Sequence, residues 1–291
     1  MDAPLNNIFF PVSFSELFSV WSRFPSAVIF AGGTDLIYRQ GKNLLELPQV
    51  IICLDKIEEL HRITRTEHYM EIGPMIKLNK ITNLGKIVPE VLCACLENIA
   101  GYQLRNIATI GGNVCCHSRL LDASAPLTAL DAQYELRNAN NTRWVAASRF
   151  HSLEEHSPAA DAPNPRQNAR RSALETQELL TRIRLPIQQW NYSFYKKFFS
   201  QDSLNTNVLI FIAKTAKNVL SDIRVIFKGN AILRNRNGEN ILTGKNLPLS
   251  RKTAVAFVDN WNVYLTGNKV DDYTKYKLLN SIEENIFNLS E

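Results

Sequence analysis

Hydrophobic and polar positions along the chain first separate into strand-length runs and helical stripes. Residues 27–31 and 50–54 are apolar runs of strand length, and residues 36–43 between them fit a short helix or turn. Upstream, Ser13 and Glu16 form a capping-box pattern at the start of an apolar stripe with helical spacing, which predicts a helix. Strand, loop, helix and strand in this order predict a small parallel unit of roughly fifty residues.

The middle of the chain shows a second group of elements. A helix is predicted to start at Pro89, whose fixed φ suits a first turn, and Gly101 is placed as its C-cap. Asn140 and Asn141 supply a hairpin turn signal. The other predicted elements are a short helix at residues 123–129 and strands at residues 61–63, 69–72, 133–137, 143–146 and 179–185. These elements predict a second subdomain.

The last third of the chain has the pattern of an antiparallel sheet followed by helices. Strands are predicted at residues 193–199, 208–216 and 223–227. Helical stripes follow Ser250 and occupy the C-terminus. We therefore expect three units, which cover residues 1–55, 56–187 and 188–291.

Composition and charge narrow the function mainly by exclusion. A chain of 291 residues with 45% hydrophobic content is globular and long enough for more than one domain. The net charge of +5 is spread without a Lys/Arg block, so nucleic acid is not an expected partner. We find no secretory signal and no apolar run of the roughly 20 residues that a membrane helix needs. A soluble cytoplasmic protein without a membrane span is therefore expected.

Five cysteines occur, and their spacing does not indicate a metal site. Cys93 and Cys95 are separated by one residue, and Cys115 and Cys116 are adjacent, whereas zinc and iron–sulfur sites use other spacings. An odd number without a signal peptide also argues against a disulfide framework. We interpret the cysteines as small buried apolar residues. Redox sensitivity of the vicinal pair is the alternative.

Residues 154–172 differ from the rest of the chain. They contain three prolines and three arginines and show no hydrophobic period. This composition predicts an exposed, irregular loop. A docking segment for a partner subunit is the functional alternative, because long loops often carry function.

Two glycine loops carry the candidate chemistry. In the first, Gly32 and Gly33 follow a predicted strand and precede a hydroxyl and an acid. In the second, Gly111 and Gly112 lie between Thr109 and Asn113. Paired glycines permit positive φ and close backbone approach, and successive N–H groups can bind an anion. A structural turn explains either loop alone, but two such loops suit a ligand with two adjacent phosphates. Neither loop matches the dinucleotide fingerprint or the P-loop.

The amino-acid sequences of the two loops resemble those of a known family. The first reads AGGTDL and the second AGYQLRNIATIGGN, and the runs CLDKIEEL and ELLTRIRLP fall in the same order. This pattern resembles the FAD-binding medium subunits of molybdenum hydroxylases, of the xanthine dehydrogenase type. The resemblance implies an α+β protein with a two-subdomain FAD-binding fold, similar to vanillyl-alcohol oxidase and PCMH. A C-terminal antiparallel sheet plus helices would follow.

The resemblance also implies which residues bind FAD. The first loop would present backbone N–H groups to the pyrophosphate, while Asp35 would mainly fix the turn. Asp122 would bind a hydroxyl on the flavin side, and Lys197 would stabilise an anionic reduced flavin by charge proximity. A solvated strand lysine is the alternative for Lys197. The complete implied set is Phe30, Ala31, Gly32, Gly33, Thr34, Asp35, Leu36, Thr109, Gly111, Gly112, Asn113, Asp122, Leu180 and Lys197.

Partners follow from the same resemblance. A molybdopterin-binding large subunit would oxidise the substrate, and a [2Fe–2S] small subunit would pass electrons to the FAD. The flavin would then reduce NAD⁺ or another acceptor. Arg119, where the family often has proline, and Gln201 and Asn205 depart from the family pattern, which bears on the acceptor and the ring environment. A stand-alone flavin reductase or oxidase and a non-catalytic scaffold are the alternatives.

Overall fold

A computed structural model describes residues 7–40, 46–116, 119–151, 174, 177–199 and 206–289. The loop predicted at residues 154–172 lies outside these described residues, as do His117, Gln201 and Asn205. Within the described ranges, no helix combines the length and the apolar character that crossing a membrane requires.

The first unit is a three-stranded parallel sheet with two helices. The elements are β1 (Asn7–Phe9), α1 (Phe14–Arg23), β2 (Val28–Phe30), α2 (Thr34–Gln40) and β3 (Val50–Cys53). Both outer strands pair in parallel with β3, in the order β1-β3-β2. The Ser13 side chain accepts a hydrogen bond from the Glu16 amide at 3.2 Å, which confirms the predicted cap. Helix α2 begins at Thr34, two residues earlier than predicted, directly after the glycines.

The second unit combines small helices with a five-stranded antiparallel sheet. Its helices are α3 (Leu78–Thr82), α4 (Glu90–Glu97), α5 (Tyr102–Arg105), α6 (Ile110–Val114), α7 (Ser124–Ala129) and α8 (Ala147–Phe150). Its strands are β4 (Ile63–Arg65), β5 (Tyr69–Ile72), β6 (Gln133–Arg137), β7 (Thr142–Ala146) and β8 (Leu179–Pro186). The sheet order is β4-β5-β8-β6-β7, so the late strand β8 lies at its centre.

Two local predictions in this unit are wrong. Gly101 is not a C-cap, because α4 ends at Glu97 with Asn98 as its C-cap, and Gly101 instead is the N-cap of α5 with φ of −81°. His61 belongs to a short 3-10 helix, Glu58–His61, and not to a strand.

The third unit is an antiparallel sheet covered by helices on one face. Its elements are β9 (Tyr192–Phe199), β10 (Thr206–Ala216), β11 (Val219–Lys228), β12 (Ile232–Arg234), α9 (Arg236–Leu242), α10 (Arg251–Gly267) and α11 (Asp272–Asn288). The strand order is β12-β11-β10-β9. This arrangement confirms the predicted α+β class with a C-terminal antiparallel sheet plus helices. The three sheets follow the predicted segments, although the domain bounds themselves stay a prediction.

Strand β10 joins the third unit to the second through its two buried faces. Val208, Ile210 and Ile212 belong to the hydrophobic core of the second unit. The alternate residues Leu209 and Phe211 pack into the separate core beneath α10 and α11. Because successive side chains of a strand point to opposite faces, a strand buried on both sides reads as a continuous apolar run. The C-terminal sheet is therefore held against the second unit by core packing.

Candidate functional site

A cavity of about 600 Å³ lies where the two glycine loops meet. The first loop, between β2 and α2, and the second loop, at the start of α6, both line it. Apolar side chains add to the lining, namely those of Trp21 in α1, Leu180 in β8 and Met75. The volume falls within the roughly 300–1,000 Å³ typical of small-molecule sites. Two loops that are far apart in sequence thus border one cavity.

Most of the site residues implied by the resemblance lie at this cavity. The lining includes residues 30–36 together with Thr109, Gly111, Gly112, Asn113 and Leu180. Asp122 and Lys197 are absent from the described lining and lie behind it. The role of each residue in binding a cofactor stays a prediction.

Gly32 allows the two loops to touch. A Cβ atom built on Gly32 would overlap the carbonyl oxygen of Ile107 and would lie 3.1 Å from its carbonyl carbon. These are backbone atoms, which cannot move aside as the end of a flexible side chain can. Gly33 is needed for a different reason, because its φ of +69° is in the left-handed region that favours glycine. The first loop therefore requires both glycines.

The second loop is anchored on one side and lies open on the other. Gly111 donates a backbone hydrogen bond to the Pro74 carbonyl at 2.9 Å, and a Cβ on Gly111 would overlap the Pro74 side chain. A Cβ on Gly112 would meet only the Thr109 hydroxyl oxygen, at 3.0 Å. Neither glycine has a positive φ, so the expectation that this pair uses the left-handed region is wrong. Close packing and an open approach are what these positions provide.

Thr109 and Asn113 each use one polar atom to shape the second loop. The Thr109 hydroxyl oxygen accepts a hydrogen bond from the Gly112 amide at 3.0 Å and caps α6. The Asn113 carbonyl oxygen accepts from the Ala123 amide at 3.2 Å. A hydroxyl retains its own hydrogen and a side-chain amide retains its NH₂ group, so both residues keep donors for a ligand.

Asp35 connects the first loop to the segment after the second loop. It forms an ion pair with Arg39 one turn along α2, and the Arg119 Nε atom lies 3.9 Å from its other carboxylate oxygen. The Arg119 guanidinium also lies over the Tyr38 ring, 4.1 Å from the ring centre. Arg119, at a position where the family often has proline, thus makes contacts that a proline side chain cannot make.

Glu178 is a cavity residue that sequence reasoning missed. Its side chain, only 2% exposed, accepts two hydrogen bonds of 2.7 Å from the Arg143 guanidinium. Arg143 lies on β7, while Glu178 immediately precedes β8, so the pair fixes the strand that carries Leu180. Nothing in the local sequence distinguishes this acid from a surface residue, because the pair spans 35 positions.

Asp122 is bound by the protein itself. One carboxylate oxygen lies 2.8 Å from Lys197 Nζ, and the other lies 3.0 Å from Lys228 Nζ and accepts a hydrogen bond of 2.7 Å from the Thr206 hydroxyl. We call these four residues the Asp122 cluster. Burial alone would raise the pKa of Asp122, but Lys228 and Lys197 hold that pKa below its usual value.

The Asp122 cluster joins the second unit to the third. Lys197, Thr206 and Lys228 lie on β9, β10 and β11, whereas Asp122 directly precedes the segment that forms α7. Lys197 also donates to the Asn98 carbonyl at 2.9 Å, so it is not simply a solvated strand lysine. Sequence reasoning missed Thr206 and Lys228, which are 84 and 106 positions from Asp122.

These features fit an elongated ligand that carries phosphates and a ring system. The two loops touch at the edge of one cavity, Thr109 and Asn113 keep hydrogen-bond donors, and apolar side chains line much of the cavity. FAD has this chemistry, and the residues present fit it. The chain belongs to the family described as the FAD binding domain in molybdopterin dehydrogenase, whose model matches residues 4–188. Its cofactor is FAD.

Individual relatives agree with this family. The chain is 25% identical over 248 residues to the xanthine dehydrogenase FAD-binding subunit of Escherichia coli O157:H7, with 81% of this chain and 78% of the relative covered. It is 27% identical over 260 residues to xanthine dehydrogenase 2 of Arabidopsis thaliana, covering 81% of this chain but only 18% of that longer protein.

A solved structure has the same fold. A chain of carbon monoxide dehydrogenase from Hydrogenophaga pseudoflava superposes with a TM-score of 0.78 at 22% identity. The superposition covers 100% of this chain and 98% of that chain, so the fold includes the C-terminal sheet and helices that follow the family match.

Proposed function

We propose that this chain is the FAD-binding electron-transfer subunit of a molybdenum hydroxylase similar to xanthine dehydrogenase. The observation that carries the proposal is that both glycine loops border one cavity and touch at Gly32 and Ile107. Membership of the FAD-binding family and the name of the Escherichia coli relative support it.

In this proposal the chain's own residues hold and orient the cofactor. The backbone N–H groups of the first loop receive the pyrophosphate, because the Gly111 and Gly112 amides already donate to the Pro74 carbonyl and the Thr109 hydroxyl oxygen. The Thr109 hydroxyl and the Asn113 side-chain amide add further donors. Leu180 and Met75 exclude water from the apolar part of the cavity. The bound flavin supplies one- and two-electron chemistry, which no side chain supplies.

The partners remain part of the proposal. We infer a molybdopterin-binding large subunit that oxidises the organic substrate and a [2Fe–2S] small subunit that delivers electrons singly. NAD⁺ is the proposed electron acceptor. An assay of the complex with NAD⁺ and with other acceptors would distinguish between them. The relative named as an FAD-binding subunit supports a multi-subunit assembly.

The proposal is tested first by the cofactor content of the purified chain. We expect one FAD per chain, released by acid precipitation and identified as FAD by chromatography. A colourless chain that takes up no added FAD would contradict the proposal. FAD that stays with the precipitated protein would contradict non-covalent binding.

A second measurement separates a subunit from a stand-alone enzyme. The FAD-loaded chain is mixed with a purine or aldehyde substrate and NAD⁺, alone and together with an iron–sulfur subunit and a molybdopterin subunit. We expect substrate-dependent NAD⁺ reduction only in the complex. Oxidation of a purine or an aldehyde by the isolated chain would overturn the assignment.

A further inference from the structure

The Asp122 cluster holds more positive than negative charge. Lys197 and Lys228 both pair with the single carboxylate of Asp122, and within the described part of the chain neither has a second acidic partner. Asp122 and Lys228 are almost completely buried, with side-chain exposures of 8% and 3%. Two ammonium groups and one carboxylate leave one positive charge in excess. Lys197 is 19% exposed, whereas Lys228 is buried, and the net positive charge of the cluster attracts a negative group placed beside it.

The hydrogen bonds around Lys228 indicate that it carries a proton. Its Nζ atom lies 3.0 Å from the Asp122 carboxylate, 2.7 Å from the Thr206 carbonyl and 3.3 Å from the Thr206 hydroxyl oxygen. An ammonium group has three hydrogens to donate, whereas a neutral amine has only two. Burial holds the pKa of Lys228 below its usual value, although the pairing with Asp122 opposes that effect.

The cluster lies directly behind the wall of the FAD cavity. Leu121, the residue before Asp122, lines the cavity. Asn113, which also lines it, is tied by its side chain to the amide of Ala123, the residue after Asp122. This short stretch of chain therefore places Asp122 next to residues that line the cavity. A charge at such a place acts on the ligand through protein and is screened less than a surface charge.

We propose that Lys228 is a positioning residue of the flavin site, whose buried charge favours the reduced, anionic form of the bound ring. Asp122 neutralises one lysine of the cluster, and Lys228 keeps the whole cluster positive. The inference rests on the proposed function, because it requires FAD in this cavity. It assigns to Lys228, through charge, a role that the sequence pattern assigned to Lys197 alone.

The charge balance of flavin reduction explains why a fixed cation matters. The oxidised ring is neutral, and it takes up two electrons, delivered singly by a [2Fe–2S] donor, and one proton from solvent. The ring thereby gains one net negative charge. A buried positive charge lowers the free energy of that form relative to the neutral form, as Coulomb's law requires. The reduction potential of the bound flavin therefore rises.

The test compares the reduction potentials of FAD bound to four variants. Spectroelectrochemical titration with a reference dye is run on the FAD-saturated protein, and circular dichroism confirms that each variant is folded. Lys228→Met removes the charge, and Lys228→Arg keeps it. Lys228→Gln also removes the charge but keeps a hydrogen-bond donor for Thr206. Lys214→Met, an exposed lysine on the same sheet, is the matched control.

Shifts that follow the charge at position 228 are the expected result. In Lys228→Met the affinity for reduced FAD should fall about tenfold relative to oxidised FAD, which is a downward shift of about 30 mV for a two-electron couple. Lys228→Gln should shift in the same direction, whereas Lys228→Arg and Lys214→Met should stay near the unmodified protein. Structural damage alone would not follow the charge in this way.

Two results would overturn the inference while leaving FAD binding intact. One is an unchanged potential in a folded, FAD-loaded Lys228→Met protein. The other is a potential in Lys228→Arg that is as low as the potential in Lys228→Met. If Lys228→Met does not fold, the shift in Lys228→Gln decides. An unmodified chain that binds no FAD would instead contradict the proposed function, so the two failures are distinguishable.

Discussion

Gly32→Ala is the substitution that most directly tests how the two loops make one site. The added Cβ would overlap the Ile107 carbonyl oxygen and lie 3.1 Å from the Ile107 carbonyl carbon and 3.2 Å from Ala108 Cα. All three are backbone atoms of the second loop, so the loops must separate. Overpacking of this kind costs about 1–3 kcal/mol of unfolding free energy. A cavity whose two loops have moved apart should also bind FAD about 10- to 100-fold more weakly.

The assay measures both quantities on the same preparation. Urea denaturation followed by circular dichroism gives the unfolding free energy, and titration with FAD followed by flavin fluorescence gives the dissociation constant. Gly267→Ala is the matched control, because a Cβ there meets no atom within 4 Å at the end of helix α10. It should leave FAD affinity unchanged and stability equal or up to about 1 kcal/mol higher. Unchanged FAD affinity in Gly32→Ala would refute the idea that loop contact shapes the site.

Further substitutions probe other parts of the site. A Cβ at Gly112 meets only the Thr109 hydroxyl oxygen, at 3.0 Å. Gly112→Val should therefore weaken FAD binding about tenfold or more in a titration, while the unfolding free energy from denaturation changes by less than about 1 kcal/mol. Asp122→Ala leaves the buried Lys228 and the partly exposed Lys197 without a carboxylate and should lower the unfolding free energy by about 3–5 kcal/mol; a loss below about 1 kcal/mol would contradict the stabilising role of the cluster. Because the pKa of Asp122 is held below its ordinary value of 3.8, this contribution is complete above pH 3.8 and is lost as pH falls through the lower folded-state pKa, so denaturation curves of the two proteins should converge in acid. Burial raises the pKa of Cys115 from 9.0 to about 12, so its thiolate fraction at pH 8 falls about 1,000-fold; mass spectrometry should find its alkylation by iodoacetamide far slower in the folded protein than in urea.

The Asp122 result bears on how the family pattern is interpreted. The resemblance implied that Asp122 binds a flavin-side hydroxyl, yet three donors from the protein already occupy its two oxygens. Asp122→Ala separates the two roles, because a ligand contact changes FAD affinity measured on folded protein and a structural cluster changes stability. An effect on both would show that the cluster serves the site through position and charge.

The vicinal cysteines are also clearer in the folded chain. Cys115 and Cys116 both border the cavity. The raised pKa of Cys115 follows from burial, which disfavours the thiolate, and thiolates are the reactive form. This supports the interpretation of Cys115 as a small packing residue over the redox-sensitive alternative.

Local sequence patterns determined much of the architecture. Ser13 and Ser250 were recognised as helix starts, and in the structure both side chains accept the expected amide hydrogen bond. The apolar run of β10 predicted a buried strand, and paired glycines marked the loops that border the cavity. Such features can be predicted from sequence because helix caps, strand periods and tight turns depend on residues only a few positions apart.

Tertiary structure alone decided which distant groups meet. A glycine is necessary at position 32 because the backbone of Ile107 lies against it, and no local sequence pattern predicts that contact. Lys228 is a buried cation because its strand faces Asp122, 106 positions earlier, although as a sequence it reads as an ordinary strand lysine. Charge pairing and steric approach depend on distances in space, and those distances are set by how the sheets pack, which local periodicity does not encode.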